Sequence, residues 1–462
     1  MTPDPQIPDL LLRGGTLLDP ETGETRVADV LIQGGRIARV GERLDAAGAE
    51  VYDAAGKTIS PGWMDMHVHL REPGYEHKET IETGCRAAAF GGFTAVACMP
   101  NTDPPIHTRD VGEFIIERAE PTVVDVYPIA CVSKKREGKE LTEMADLADG
   151  GAVAFSDDGA PVENAGLMRR ALEYSSMLGL PIINHEEELT LNLHGHMHEG
   201  EVATRLGVPG IPALAEEVMI ARDLLLAEFT GGHVHVAHIS TAKAVELVRR
   251  ARAEGIHVTT EVCTHHFTLT DEAVETTGYS TDTKMHPPLR TAADVAAMKE
   301  GLRDGTIDVI CTDHAPHASF EKEVEFVAAP FGIIGLETAW GLVGRELLAP
   351  GVLTPAEAVY KLTVAPRRIL GLPARVVINQ EAGHILTTAD VEIDPTGITH
   401  DLLTTTRSVP AVPPSKWTMR QAGWYTTRLP AARTAKASTR SGRTVCSPAS
   451  SGPPTRRRCW RS

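Results

Sequence analysis

The sequence predicts an α/β fold: a TIM-like parallel (β/α)8 barrel carrying a small β domain. Two rhythms along the chain lead there. From about Thr58 onward, apolar runs at Thr94–Met99, Val123–Ile129, Ala152–Phe155, Pro181–Asn184, His233–Ile239, His257–Val262 and Asp308–Thr312 alternate with amphipathic stretches. Those stretches lie at Ile81–Phe90, Asn164–Leu178, Ala213–Ala227 and Thr241–Ala253. About seven or eight strand–helix repeats of this kind close into a barrel, with chemistry placed where the strands end. Upstream, Leu10–Leu12, Val27–Ile32, Ile37–Val40 and Val51–Tyr52 are short runs separated by Gly, Asp and Pro, with no long helix. Residues 1–57 therefore read as a small β domain and 58–370 as the barrel, a division that suits a length of 462 residues.

Composition narrows the function classes. Hydrophobic residues make up 42% of the chain and aromatics only 5%, so Ala, Val, Leu and Ile must build the core. No run approaches the roughly 20 apolar residues of a membrane span. The opening MTPDPQIPDL lacks the basic-then-apolar order of a secretory signal. Seven scattered cysteines form neither a disulfide framework nor a CxxC knuckle, and a reduced cytoplasmic location is expected. A net charge of −17 argues against nucleic acid as a partner. The charge is uneven, because Arg407–Ser462 holds twelve Lys/Arg and no Asp or Glu. This tail, rich in Ser, Thr, Pro and Arg, reads as a disordered basic arm or as the frame-shifted end of a GC-rich gene.

The stretch Pro61-Gly62-Trp63-Met64-Asp65-Met66-His67-Val68-His69-Leu70-Arg71 is the most informative in the chain. In an extended segment His67 and His69 point the same way, while Met66 and Val68 turn into packing. Two imidazoles one strand period apart chelate a borderline metal such as Zn2+, although alone they fit a polar strand face equally well. Later strand ends add to them. They offer Asn101, the pair Asp157 and Asp158, His185, His238, and then Asp313 with His317. Four His and two Asp converging on one barrel mouth make a one- or two-metal hydrolytic site. Arg71 is alternatively a surface ion-pair partner of Glu72 or Glu76, but its place beside the chelating pair favours the site.

On these residues the chain resembles the amidohydrolase superfamily, and within it the dihydroorotases of the type I, long-chain class. The motifs are DMHVHLREPG at 65–74, CMPNT at 98–102, FSDDG at 155–159, KMHPPLR at 284–290, TDHAPH at 312–317 and FGIIGLET at 331–338. The resemblance implies a hydrolase of cyclic amides in pyrimidine biosynthesis that interconverts N-carbamoyl-L-aspartate and (S)-dihydroorotate. Zn2+, one or two per subunit, would be held by His67, His69, Asp157, His185 and His238, with Asp313 beside it. Asp157 takes the place where many relatives carry a carbamylated lysine; a carboxylate is anionic without modification. Asp158 is the alternative ligand, its neighbour then capping the following turn. Asp313 would be the general acid/base acting on a metal-activated water. Arg71, Asn101, His286 and His317 would bind substrate, Arg71 offering a forked charged donor to its carboxylate.

The chain departs from the family pattern at His286, where asparagine is usual, and this alters the contact offered to the pyrimidine ring. In the family the small β domain draws on both chain ends, so 371–406 should return to it. The return is traceable only in Ala389-Asp390-Val391-Glu392-Ile393, and not past 407. Strands missing there would leave unpaired edges and lower stability. A homodimer and a complex with aspartate carbamoyltransferase are the partners the resemblance brings. Competing functions are an allantoinase or hydantoinase, and a non-catalytic scaffold for the carbamoyltransferase. Elsewhere, His194, His196 and His198 read as solvated residues of the loop Leu193–Gly200. His265 and His266 read as buttresses of the site, and Cys98, Cys263 and Cys311 as core thiols.

Overall fold

The computed structural model describes residues 9–373 apart from 34, 35, 47 and 193, together with strand backbone at 386–389 and 426–427. The first strand, β1 (Leu10–Leu18), pairs antiparallel with β2 (Thr25–Gln33), which pairs with β3 (Arg36–Gly41). On its other side β1 runs parallel to β4 (Glu50–Asp53) and β5 (Thr58–Pro61). Leu10, Leu12, Leu17, Val30, Ile32 and Ile59 form the apolar face of this sheet. At the register shift in β1, a Cβ on Gly15 would stand 2.3 Å from Ile59 Cδ1, so a larger residue there would force the Ile59 side chain to move.

The barrel follows. Strands β6 (Trp63–Val68), β7 (Phe93–Cys98), β8 (Asp125–Ala130), β9 (Ala154–Phe155) and β10 (Ile182–Asn184) pair in parallel, each with the next. A ribbon of β11 (Met197–His198) and β12 (Gly210–Ile211) intervenes before β13 (Val234–Val236), β14 (Val258–Cys263) and β15 (Val309–Cys311) complete the eight-stranded sheet. A bridge between Val68 and His314, with the His69 N–H donating to His314 O at 2.8 Å, joins the last strand to the first. The predicted barrel is therefore the observed one.

Local chemistry sets the helix ends. Thr80 and Thr83 form a capping box at Ile81–Gly91, which stops at Gly92 with φ of 93°. Asn164 and Thr241 cap Ala165–Leu178 and Ala242–Ala253 by accepting from the third residue of each helix. Met64, Met66, Ala97, Ile129, Ile183 and Val309, with Ile369 and Leu370, fill the barrel, while Val68, Val96, Phe155, Val236 and Ile310 pack against the surrounding helices. Met66 and Val68 thus fall in different clusters. The register shift between Asp65 and Val68 breaks the simple alternation expected of that strand.

Beyond the barrel, β16 (Leu386–Ala389) pairs antiparallel with β5, and β17 (Thr426–Thr427) pairs parallel with β16. The return to the small sheet thus lies upstream of the expected Ala389–Ile393 and overlaps it at one residue. A second short strand occurs in the stretch past 407, where none was traceable. The expectations about residues 390–393 and the rest of the basic tail lie outside the described residues.

Candidate metal centre and active site

The ends of β6, β9, β10, β13 and β15 converge on one carboxylate. Asp158 Oδ1 lies 3.5 Å from His67 Nε2, 3.7 Å from His185 Nδ1 and 3.6 Å from His238 Nε2, and its Oδ2 lies 3.5 Å from His69 Nε2. Asp313 Oδ1 adds contacts of 3.0 Å to His69 Nε2 and 3.6 Å to His67 Nε2. All six side chains are buried. Two donors about 2.1 Å from one tetrahedral metal stand about 3.4 Å apart, so these separations suit shared coordination. The donors fall into two sets, His67–His69–Asp158 and Asp158–His185–His238, with Asp158 common to both.

The expected ligand Asp157 is not in this cluster. Its Oδ1 accepts from the Ser133 N–H at 3.0 Å and its Oδ2 from the Ser133 hydroxyl at 2.5 Å. Adjacent residues at a strand end face opposite ways, and Ser133 engages the first of the pair. The alternative, Asp158, faces the histidines.

Two buried atoms test whether the cluster fits a cation. Among the described residues, His67 Nε2 and Asp158 Oδ1 have no hydrogen-bond partner. His67 donates its other ring N–H from Nδ1 to Glu261 Oε1 at 2.5 Å, which leaves the Nε2 lone pair bare. His69 Nδ1 lies 2.7 Å from Asn101 Oδ1, fixing the same tautomer. A cation satisfies these lone pairs without a proton. Sequence reading missed Glu261. Its only signal was an acid inside the apolar strand β14, fully buried and also 3.5 Å from His235 Nε2.

Burial alone would raise the Asp158 and Asp313 pKa values, but positive charge on His67 and its fellow histidines, which a bound cation would replace, holds both carboxyls well below the usual range. Burial lowers Arg71 to about 10, so it stays charged at neutral pH. Backbone strain collects in the same place: Arg71, His238 and Asp313 have φ of 65°, 30° and 47°.

The four residues expected to bind substrate sit around this cluster, each with at least one polar atom engaged. Arg71 Nε donates to Pro316 O at 3.1 Å, and Asn101 accepts from His69. His317 donates from Nε2 to Phe331 O at 2.8 Å and faces Lys78 Nζ at 3.4 Å through Nδ1. His286 Nε2 lies 2.9 Å from Glu187 Oε1, and its ring stacks on Phe331 with centroids 4.9 Å apart. Of the loop histidines expected in solvent, His194 is exposed, whereas His198 is buried in β11 and accepts from Arg290 Nη1 at 3.1 Å.

Comparison with known proteins gives these features a context. A family model described as Dihydro-orotase-like matches residues 56–244. A dihydroorotase of Pelotomaculum thermopropionicum is 60% identical over 364 residues, which is 79% of this chain and 85% of the relative. The chain belongs to the dihydroorotase family. A dihydroorotase of Syntrophus aciditrophicus is 53% identical over 367 residues, 79% of this chain and 85% of its own. Among solved structures, the L-hydantoinase (dihydropyrimidinase) of Arthrobacter aurescens superposes with a TM-score of 0.69 at 25% identity, covering 79% of this chain and 82% of its own. A D-hydantoinase from a Thermus species gives 0.66 at 26% identity, covering 79% and 82%. The dihydroorotase family is metal-dependent, and the clustered His and Asp side chains supply the donors. No helix among the described residues is long and apolar enough to cross a membrane.

Proposed function

We infer that this chain catalyses the dihydroorotase reaction, the reversible hydrolysis of (S)-dihydroorotate to N-carbamoyl-L-aspartate in pyrimidine biosynthesis. The observation that carries this reading is the close kinship to relatives named dihydroorotase along most of their length. The site geometry supports the assignment of roles. We assign His67, His69, Asp158, His185 and His238 as the residues that would hold Zn2+, one ion or two. Bound there, zinc lowers the pKa of a water and polarises the ring amide carbonyl.

The remaining steps belong to the chain. Asp313, held ionised beside His69, accepts the proton of the attacking water as the new C–O bond forms. It returns that proton to the ring nitrogen as the C–N bond breaks. Arg71, charged and buried at the mouth, pairs with the substrate carboxylate, and the Asn101 amide N–H group donates beside it. Glu261 and Asn101 hold the two β6 histidines in the tautomer that presents Nε2. The wider reading includes a cytoplasmic location, supported by the five free buried cysteines among the described residues. It also includes a homodimer, supported by Leu214, Leu225 and Phe229 standing exposed along one helix.

The test is an assay of zinc-loaded protein following the loss of dihydroorotate absorbance, with allantoin and hydantoin as controls. Turnover of dihydroorotate at least about 100-fold above both controls is expected. Asp313→Asn should lower kcat by about 10²–10⁴-fold. Faster turnover of hydantoin would favour the reading suggested by the solved neighbours.

A further inference from the structure

Behind the catalytic cluster lies a second group of metal-type donors that shares no residue with it. Cys263 ends β14, and the following turn, closed by the His266 N–H donating to Cys263 O at 3.0 Å, brings His265 and His266 back beside it. One ligand atom from each of Cys263, His265 and His266 lies within 4.8 Å of the others, and all three residues are buried. Cys311 ends the neighbouring strand in register with Cys263, and the two sulfurs are 3.6 Å apart. Two sulfurs about 2.3 Å from one tetrahedral zinc stand about 3.8 Å apart.

Among the described residues, two nitrogens in this group have no hydrogen-bond partner. His266 donates from Nε2 to Pro287 O at 3.0 Å, so its Nδ1 carries a bare lone pair, and that Nδ1 is buried with no partner among the described residues. His265 Nε2 is likewise buried and without a partner. Leaving a buried atom of this kind unsatisfied is costly, whereas a cation satisfies both without adding a proton. A carbonyl that fixes one ring nitrogen and bares the other is the usual support of a metal-binding imidazole.

We propose that Cys263, His265 and His266 form a second metal site, selective for a thiophilic cation such as Zn2+, Cd2+ or Cu+. The sulfur sets the preference, since soft thiolate donors favour these ions over Mg2+ or Mn2+. A cation there pins the turn after β14, whose last residue lies two positions past Glu261.

The donors of the catalytic cluster are all nitrogen and oxygen, so a thiolate-to-metal charge-transfer band reports the second site alone. Zinc-loaded full-length protein is titrated with Cd2+ while the ultraviolet thiolate-to-cadmium band is followed. The band should saturate at a single equivalent per chain and disappear in Cys263→Ser. In His266→Gln the cadmium affinity should fall at least about tenfold. It should persist in the double variant Cys446→Ser/Cys459→Ser, which removes the tail thiols. Far-ultraviolet circular dichroism matching that of the parent shows that each variant is folded. A titration with no saturating band overturns the proposal, as does a band that survives Cys263→Ser or vanishes with the tail cysteines. The readout involves no substrate, so it stands or falls separately from the dihydroorotase reading.

Discussion

The two sides of the barrel mouth treat their polar atoms in opposite ways. On the metal side, His67 Nε2 and Asp158 Oδ1 are buried without partners among the described residues, while Glu261 and Asn101 hold the far nitrogens of His67 and His69. On the lip, His286 is bonded to Glu187, His317 to Phe331 and Lys78, and Arg71 to Pro316. Lys284 and Lys322 donate to the carbonyls of Phe326, Val327, Pro330 and Gly332, fixing the segment that carries Phe331. One side is incomplete until a cation arrives. On the other, each of these side chains already holds a protein partner, so substrate binding there exchanges some contacts for others. Changes on the metal side should therefore cost far more than changes on the lip.

The largest contrast is between neighbours. Asp158→Asn removes the carboxylate that both histidine pairs share, and should abolish tight zinc binding. Activity should fall by well over the roughly 10–100-fold that outer-sphere changes cost. Asp157→Asn should keep its zinc and lose about 1–3 kcal/mol of stability, because Ser133 loses a buried ionic acceptor. Metal content by elemental analysis and melting by circular dichroism separate the two. Equal zinc loss in both variants would show that the pair acts as a unit.

Glu261→Gln comes next. The amide no longer holds His67 with a charged acceptor, and zinc affinity should fall by about 10–100-fold with the fold intact. Competition with a chelator measures this, and an unchanged affinity would remove Glu261 from the centre.

How much of this was legible in the chain follows from the range of the forces involved. The barrel was, because apolar runs and helix caps are local signals. His67 and His69 were, because a strand period places them together. The choice between Asp157 and Asp158 was not. Strand β9 spans only Ala154–Phe155, and the facing of the next residues depends on Ser133, more than twenty positions upstream. Glu261 looked like any strand residue until His67 was seen beside it. His198 read as a solvated loop residue because its strand partner, Gly210–Ile211, gives no local sign of pairing.

His198 supplies a test of how firmly the lip is satisfied. Burial first, and then the Arg290 charge, lower its pKa from 6.5 to about 4, opposed by Asp294. The folded state therefore keeps it neutral, while the unfolded chain takes up a proton as pH falls below about 6.5. Stability is fully present above that pH and is lost as pH falls toward 4. Between pH 7 and pH 5 this one group should cost about 2 kcal/mol. Urea unfolding at the two pH values measures the loss, and His198→Gln should flatten the difference by about that amount. An unchanged slope would show that His198 is already open to protons in the folded state.

The smallest effect is expected at His286, where the family usually carries asparagine. Burial lowers its pKa, opposed by Glu187, so the neutral ring donates from Nε2 to Glu187 and packs flat against Phe331. His286→Asn releases Glu187 and offers an amide that both donates and accepts toward a ring substrate. One exchanged hydrogen bond is worth about 0.5–1.5 kcal/mol, so KM for dihydroorotate should fall by up to about tenfold. The turnover number should stay within about twofold, and zinc content shows whether Glu187, whose Oε2 also lies 3.8 Å from His185 Nε2, still supports that ligand. Steady-state kinetics on the two proteins at matched zinc loading decide it. A tenfold rise in KM would mean that the imidazole itself holds substrate, and that this part of the lip, like the metal side, is built around a guest.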